Sequence, residues 1–249
     1  MSEPLCEALE WDSAFFGISI ARCNATQVNP ARRAAILEWC TTHRIDCLYC
    51  LVAADDPETV HALEDAKFRF MDVRVTLTRT LPSPSAGGAN GTRHATHADI
   101  DALRTIARTA HRDTRFYADP NFNPDRCDEL YATWIARSCQ GYANRVIVVD
   151  RDSVPVGYVS LHIDESDARI GLLGVHAEWR RQGVGRELLN AAFFSLAGEG
   201  VTQLSVVTPG RNIAAQALYQ DAGFRTAHTA LWYHRWFKPG RRSLGGGGR

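Results

Sequence analysis

The sequence predicts an α/β fold in which a mixed central β-sheet is flanked by helices and preceded by a smaller N-terminal α/β half. Three observations carry this expectation. Short runs rich in β-branched and aromatic residues alternate, along all 249 residues, with segments of helical periodicity. The apolar run Ile170-Gly171-Leu172-Leu173-Gly174-Val175 leads into a glycine-bearing loop that opens the helical pattern Val184, Leu188, Leu189, Ala192, Leu196. Residues 81–91 have linker composition, with prolines that oppose regular structure and glycines that keep the backbone permissive. They divide the chain into an N-terminal unit, 1–80, and a larger domain, 92–238.

In the N-terminal unit, residues 31–42 read as a helix and Cys47–Ala53 as a strand. Residues 57–66 follow as a helix opened by Pro57, whose missing N–H is no loss in a first turn. Residues 68–80 alternate in the manner of a half-buried strand. This β-α rhythm is compatible with a diverged half of the larger domain's fold, although no internal repeat is legible. Beyond the linker, Ile100–Ala110 and 125–139 have helical patterns, and strands are expected at 145–150, 154–163 and 169–175. The helix from Val184 comes next, then a strand at 203–208, a short helix from Asn212 and an aromatic strand at 230–236. That order suits a mixed sheet with helices on its faces. The tail 239–249, a glycine run among basic residues, is expected to be disordered.

Bulk composition narrows the partners. Twenty-eight Lys+Arg balance twenty-eight Asp+Glu, so no global field recommends nucleic acid or an anionic membrane, and any anion site must be local. The 45% hydrophobic share is ordinary for a globular chain with a buried core. Seven scattered cysteines and an N-terminus without a basic start and apolar stretch predict a reduced, cytoplasmic chain without a signal peptide. No apolar segment approaches the roughly 20 residues that span a bilayer, so no membrane insertion is expected.

The most informative motif is Arg180-Arg181-Gln182-Gly183-Val184-Gly185. Glycine lets a backbone approach a ligand closely, and the free N–H groups of a helix's first turn, aided by its dipole, bind phosphate oxygens. The spacing R-x-x-G-x-G differs from the nucleotide P-loop and from the dinucleotide fingerprint, which argues against both. An ordinary strand-to-helix turn would give the same local pattern. About thirty residues on, Thr208-Pro209-Gly210-Arg211-Asn212 continues through Ala215 to Tyr219, and then to Gly223-Phe224. Taken alone, Asn212 satisfies a helix N-cap, and Tyr219 a core aromatic on the face it shares with Ala215.

Both motifs, in this order and at this spacing, resemble those of the GNAT superfamily of acyltransferases. The resemblance implies acetyl-CoA as cosubstrate and no metal. It places the pyrophosphate on Arg180, Arg181, Gln182, Gly183, Val184, Gly185 and Arg186, with Asn212 and Tyr219 also in the cofactor site. It further implies that the strand carrying Leu173 and Val175 splays from its neighbour, freeing backbone N–H groups for the pantetheine and the thioester oxygen. Tyr219 would then be the general acid that protonates the departing thiolate, a role open to a phenol of pKa about 10.

A closer resemblance spans most of the chain. Trp11-Asp12-Ser13-Ala14-Phe15-Phe16-Gly17, Thr114-Arg115-Phe116-Tyr117, Leu130-Tyr131-Ala132-Thr133-Trp134-Ile135, Asp167-Ala168-Arg169-Ile170-Gly171-Leu172-Leu173 and Thr229-Ala230-Leu231-Trp232-Tyr233-His234-Arg235 look like the TDP-fucosamine acetyltransferase family. In that family an acetyl group moves to the 4-amino group of a TDP-linked deoxysugar, so a small-molecule nucleotide sugar is the implied partner. A shared scaffold does not by itself carry a shared acceptor. An acyltransferase for another amine, such as a peptide, a polyamine or an antibiotic, and a non-catalytic acyl-CoA-binding module remain the alternatives.

Asp72 falls where this family can carry a glutamate that relays a proton from the amine, one methylene short; a solvated strand carboxylate is the plainer reading. For the acceptor, Arg112 and Arg115 have the forks that suit a diphosphate, and Tyr117 offers a ring to a base or sugar. Pairing with Asp113 or Asp119 would occupy the same arginines. Cys47-Leu48-Tyr49-Cys50 has C-x-x-C spacing without a second cysteine pair, on a strand, and reads as buried thiols. His94 and His97 read as solvated loop residues. The aromatic final strand suits either a homodimer interface or the core.

Overall fold

The computed structural model describes residues 4–81 and 91–238. The tail 239–249 and nearly all of the expected linker lie outside them. In chain order the elements are β1 (Cys6–Ala8), α1 (Glu10–Phe16), β2 (Ile20–Cys23), α2 (Pro30–Thr42), β3 (Cys47–Ala53), α3 (Pro57–Asp65) and β4 (Arg69–Thr80). These are followed by β5 (Thr92–His94), α4 (Ile100–Ala110), α5 (Arg115–Ala118), α6 (Pro124–Arg137), β6 (Arg145–Arg151), β7 (Val154–Asp164) and β8 (Asp167–Val175). The chain ends through α7 (Val184–Leu196), β9 (Gln203–Pro209), α8 (Ile213–Asp221) and β10 (Arg225–Trp236).

Two compact units interleave along the chain. Of the described residues, the first comprises 4–74, 114–126 and 229–238; the second comprises 75–81, 91–113 and 127–228. Two of the four boundaries fall inside β4 and β10 and a third inside α6, where a continuous pattern conceals them.

In the first unit β1 pairs antiparallel with β2, β2 parallel with β3, and β3 antiparallel with β10. Side chains of β3 alternate between faces. Leu48, Cys50 and Val52 join Ile36 and Cys40 of α2 and Leu63 of α3 in one apolar cluster. Tyr49, pointing the other way, meets Phe116 of α5 and Phe122. Both cysteines of the C-x-x-C pattern are fully buried thiols. Helices α2 and α3 each begin with a proline behind a side-chain cap, Asn29 accepting from Arg32 N–H and Asp56 from Thr59 N–H. Helix α1, between two very short strands, stops at Gly17, whose φ of 69° makes the left-handed cap that glycine favours. These three elements are too short to display a period, so the sequence pattern passes over them.

In the second unit β9 pairs parallel with β8, and β7, β6 and β5 follow antiparallel. Gly157 of β7 faces Val184 and Leu188 of α7. Its neighbour Tyr158 points to the opposite face, where its hydroxyl meets His111 at the end of α4. Helices therefore cover both sides of β7. Helix α6 is shorter than the expected 125–139, because a wider turn over Ser138–Tyr142, with Gly141 at φ 102°, takes over after Arg137. Strand β10 begins earlier than 230, since its first five residues are exposed and lack an apolar alternation.

Candidate active site

The strand β8 is bent by a bulge. Leu161 pairs with Ile170 and Val159 with Leu173, so Gly171 and Leu172 together oppose Ser160 alone. Ser160 holds the irregularity by accepting a hydrogen bond from Leu172 N–H through Oγ at 2.9 Å. Glycine suits the bulge, because a Cβ on residue 171 would come within 2.7 Å of the His162 ring and 2.9 Å of Ser160 Oγ. Beyond it β8 leaves its parallel neighbour: pairing with β9 runs from Asp167 to Ile170 and stops. His176 N–H returns to Val156 O at 2.9 Å, so by the two-residue alternation of an antiparallel ladder the N–H groups of Leu173 and Val175 point away from β7, to the side where β9 has parted. Gly174, between them, lies against the ring of Tyr158, whose hydroxyl is 2.8 Å from His111 Nε2. Burial, with the charge of Arg180 adding to it, lowers the His111 pKa to about 4 and keeps it neutral.

After β8 the chain makes a short turn and enters α7. Arg180 is committed to the turn, donating to Val175 O and Thr109 O. Arg181 and Gly183 both adopt left-handed backbone, at φ 63° and 86°. Gly183 is the N-cap of α7 and offers no side chain to its first turn, so the leading N–H groups face outward uncapped. A Cβ on Gly183 would meet no protein atom within 4 Å, which leaves open space beside those donors. Val184 is buried under the turn, and Arg186 extends toward Asp221 at 3.7 Å. Left-handed loop, uncapped donors and parted strand lie in sequence, and together they suit a diphosphate followed by an amide-bearing arm.

Helix α8 starts at Asn212, which caps it by accepting from Ala215 N–H at 3.0 Å. Seven residues on, Tyr219 is 5% exposed and packs edge-on against Phe224 at 5.7 Å. Burial raises its phenol pKa well above the ordinary value. In the first unit, Asp72 on β4 is 4% exposed, a buried carboxylate instead of a solvated one.

The three acceptor candidates have different surroundings. Arg112 is exposed and pairs with Asp128 at 2.8 Å, not with Asp113 or Asp119. Tyr117 sits half-buried on the one-turn helix α5. Arg115, on the same helix, packs its guanidinium against three rings, Tyr49 and Phe116 at 4.1 Å and Trp232 at 4.3 Å. Its Nη1 lies 2.9 Å from His234 Nε2, and His234 Nδ1 lies 2.7 Å from Asp119 Oδ2. Nothing in the sequence links Asp119 with His234, although His234 lies in the closing aromatic run, because 115 residues separate them. Among the described residues no group of three or more His, Cys, Asp or Glu is arranged to hold a metal, and no helix is long and apolar enough to cross a membrane.

Comparison with known proteins agrees with this geometry. Residues 102–224 match the Acetyltransferase (GNAT) family. A dTDP-fucosamine acetyltransferase of Escherichia coli O6:H1 is 31% identical over 233 residues, covering 92% of this chain and 97% of the relative. Among solved structures, a GCN5-related N-acetyltransferase from Sphaerobacter thermophilus superposes with a TM-score of 0.65 at 16% identity, over 94% of this chain and 77% of that one. One from Kribbella flavida reaches 0.56 at 18% identity, over 87% and 80%. At such identities the two structures speak for the fold.

Proposed function

The chain belongs to the acetyltransferase (GNAT) family and is an N-acetyltransferase, and from that premise we propose that it moves the acetyl group of acetyl-CoA onto the amino group of a TDP-linked 4-amino-4,6-dideoxy sugar. The observation that carries the donor half is the parting of β8 from β9 just before the left-handed turn at Gly183. The acceptor half is supported by near full-length likeness to the dTDP-fucosamine enzyme.

In this reading the first-turn N–H groups from Gly183 to Gly185 receive the pyrophosphate, with Arg181, Gln182 and Arg186 around them. The N–H groups of Leu173 and Val175 pair with the pantetheine arm and the thioester oxygen. Donors aimed where negative charge develops stabilise the transition state without reorganising. Arg180 braces the turn and Asn212 braces α8, which carries Tyr219. The amine attacks the thioester carbon, its proton leaves toward Asp72 through water, and the thiolate takes a proton from Tyr219. For Asp72→Asn, kcat is expected to fall by about 10²-fold, at the lower end of general acid–base contributions. Steady-state kinetics on a folded variant with unchanged kcat would remove Asp72 from the reaction.

A thiol-release assay tests the acceptor. TDP-linked 4-amino-4,6-dideoxyhexoses are expected to outperform the free amino sugars, peptides and polyamines in kcat/KM. Equal turnover of free and nucleotide-linked sugar would remove the nucleotide from the substrate, and preference for a peptide or polyamine would replace the acceptor altogether.

A further inference from the structure

Several arginines of the described residues find carboxylates: Arg93 meets Asp99 and Asp150, Arg108 meets Glu129, Arg112 meets Asp128, and Arg151 meets Glu187. Arg115 does not. Among the described residues it makes no ion pair, although Asp119 stands four positions away on the same segment. The reason is that Asp119 is already saturated. Its Oδ1 accepts from the backbone N–H and the side-chain amide of Asn121, at 3.0 and 2.9 Å, and its Oδ2 accepts from His234 Nδ1 and from Trp236 Nε1 at 2.8 Å.

This arrangement dictates the tautomer of His234. An ionised carboxylate can only accept, so Nδ1 carries the proton; a guanidinium can only donate, so the bare Nε2 accepts from Arg115. Protonation would set an N–H against a cation inside a fully buried pocket. Burial and the Arg115 charge, opposed by Asp119, bring the His234 pKa down to about 4. The imidazole therefore orients the guanidinium without neutralising it.

A half-buried cation held this way keeps its remaining N–H donors and its whole charge. Three aromatic faces compensate part of the lost hydration, and they also clamp the plane of the fork. Nearby, the buried Thr114 hydroxyl meets no hydrogen-bond partner. Asp12 is close enough for its charge to be felt, yet lies beyond ion-pair distance, and burial raises its pKa. An unneutralised planar fork beside an unpartnered hydroxyl matches the phosphoryl oxygens of a nucleoside diphosphate.

We infer that Arg115 recognises the diphosphate of the acceptor and that Asp119 and His234 are the positioning residues that aim it, an inference that rests on the nucleotide-sugar reading above. A purely structural lock of guanidinium on rings would use the same contacts but would bind no anion.

The test is calorimetric titration of the full chain with TDP, with inorganic pyrophosphate and thymidine as competitors, alongside KM and kcat. Arg115→Met, which keeps the packing stem, is expected to weaken TDP binding and raise the sugar-nucleotide KM by about 10- to 100-fold, the range for losing charge-assisted hydrogen bonds. Both kcat and the acetyl-CoA KM should stay within about threefold. His234→Leu should move the acceptor KM in the same direction, and His234→Gln, which retains an acceptor for Arg115, should recover most of it. Pyrophosphate should displace TDP and thymidine should not. Equal TDP affinity in wild type and Arg115→Met overturns the inference while leaving the acceptor reading intact. Wild-type protein that neither binds TDP nor acetylates the TDP amino sugar overturns both, and the wild-type measurements alone identify that case.

Discussion

A Tyr219→Phe enzyme is expected to lose about 10²–10⁴-fold in kcat, the contribution typical of a general acid, while binding acetyl-CoA almost as tightly as wild type. Phenylalanine keeps the ring, and with it the edge-on contact to Phe224 that closes the turn after α8. What disappears is one hydroxyl. Because burial disfavours the phenolate, that hydroxyl holds its proton across the whole working pH range and is in place to donate it as negative charge develops on the departing sulfur. Ground-state binding of acetyl-CoA makes no such demand, so the loss belongs in kcat. Single-turnover kinetics must show chemistry to be limiting. Near-wild-type rates under that condition, in a variant with native melting behaviour, would falsify the general-acid assignment and leave Tyr219 as a packing residue.

Replacing Gly183 by valine is expected to raise the acetyl-CoA KM by about 10- to 100-fold, with a smaller change in kcat. Two effects combine. Residue 183 has φ 86° and ψ −9°, a left-handed conformation that costs an L-residue roughly 1–2 kcal/mol and a β-branched one more. The added side chain would also enter the open space before the first turn of α7, where no protein atom stands within 4 Å of a Cβ but where the pyrophosphate must approach. Gly183→Asn separates the two effects, since asparagine tolerates the left-handed region and still adds bulk. If the asparagine variant behaves as wild type, backbone strain explains the valine result. An unchanged KM in both variants would remove the loop from phosphate recognition.

The parts of this protein that were legible before any coordinates are those whose physics is local. R-x-x-G-x-G announces a left-handed turn and an uncapped helix start within six residues, and N-x-x-A-x-x-x-Y announces a capped helix with one buried face. Longer strands such as β3 and β7 declare themselves as continuous apolar runs, buried almost throughout. The family and the fold class follow from these. What period and propensity could not decide is anything that depends on which surfaces meet. The bulge at Gly171 exists because Ser160 and His162 of another strand face it, and the parting of β8 follows from that bulge. Asp72 is buried by its neighbours, whereas its own alternating strand would equally suit a solvated carboxylate. Arg115 has Asp119 four residues away and yet finds its partner 119 residues later, because Asp119 spends its lone pairs on Asn121, Trp236 and His234. Hydrogen-bonding capacity inside a core is finite, and how it is shared out is a property of the packed structure.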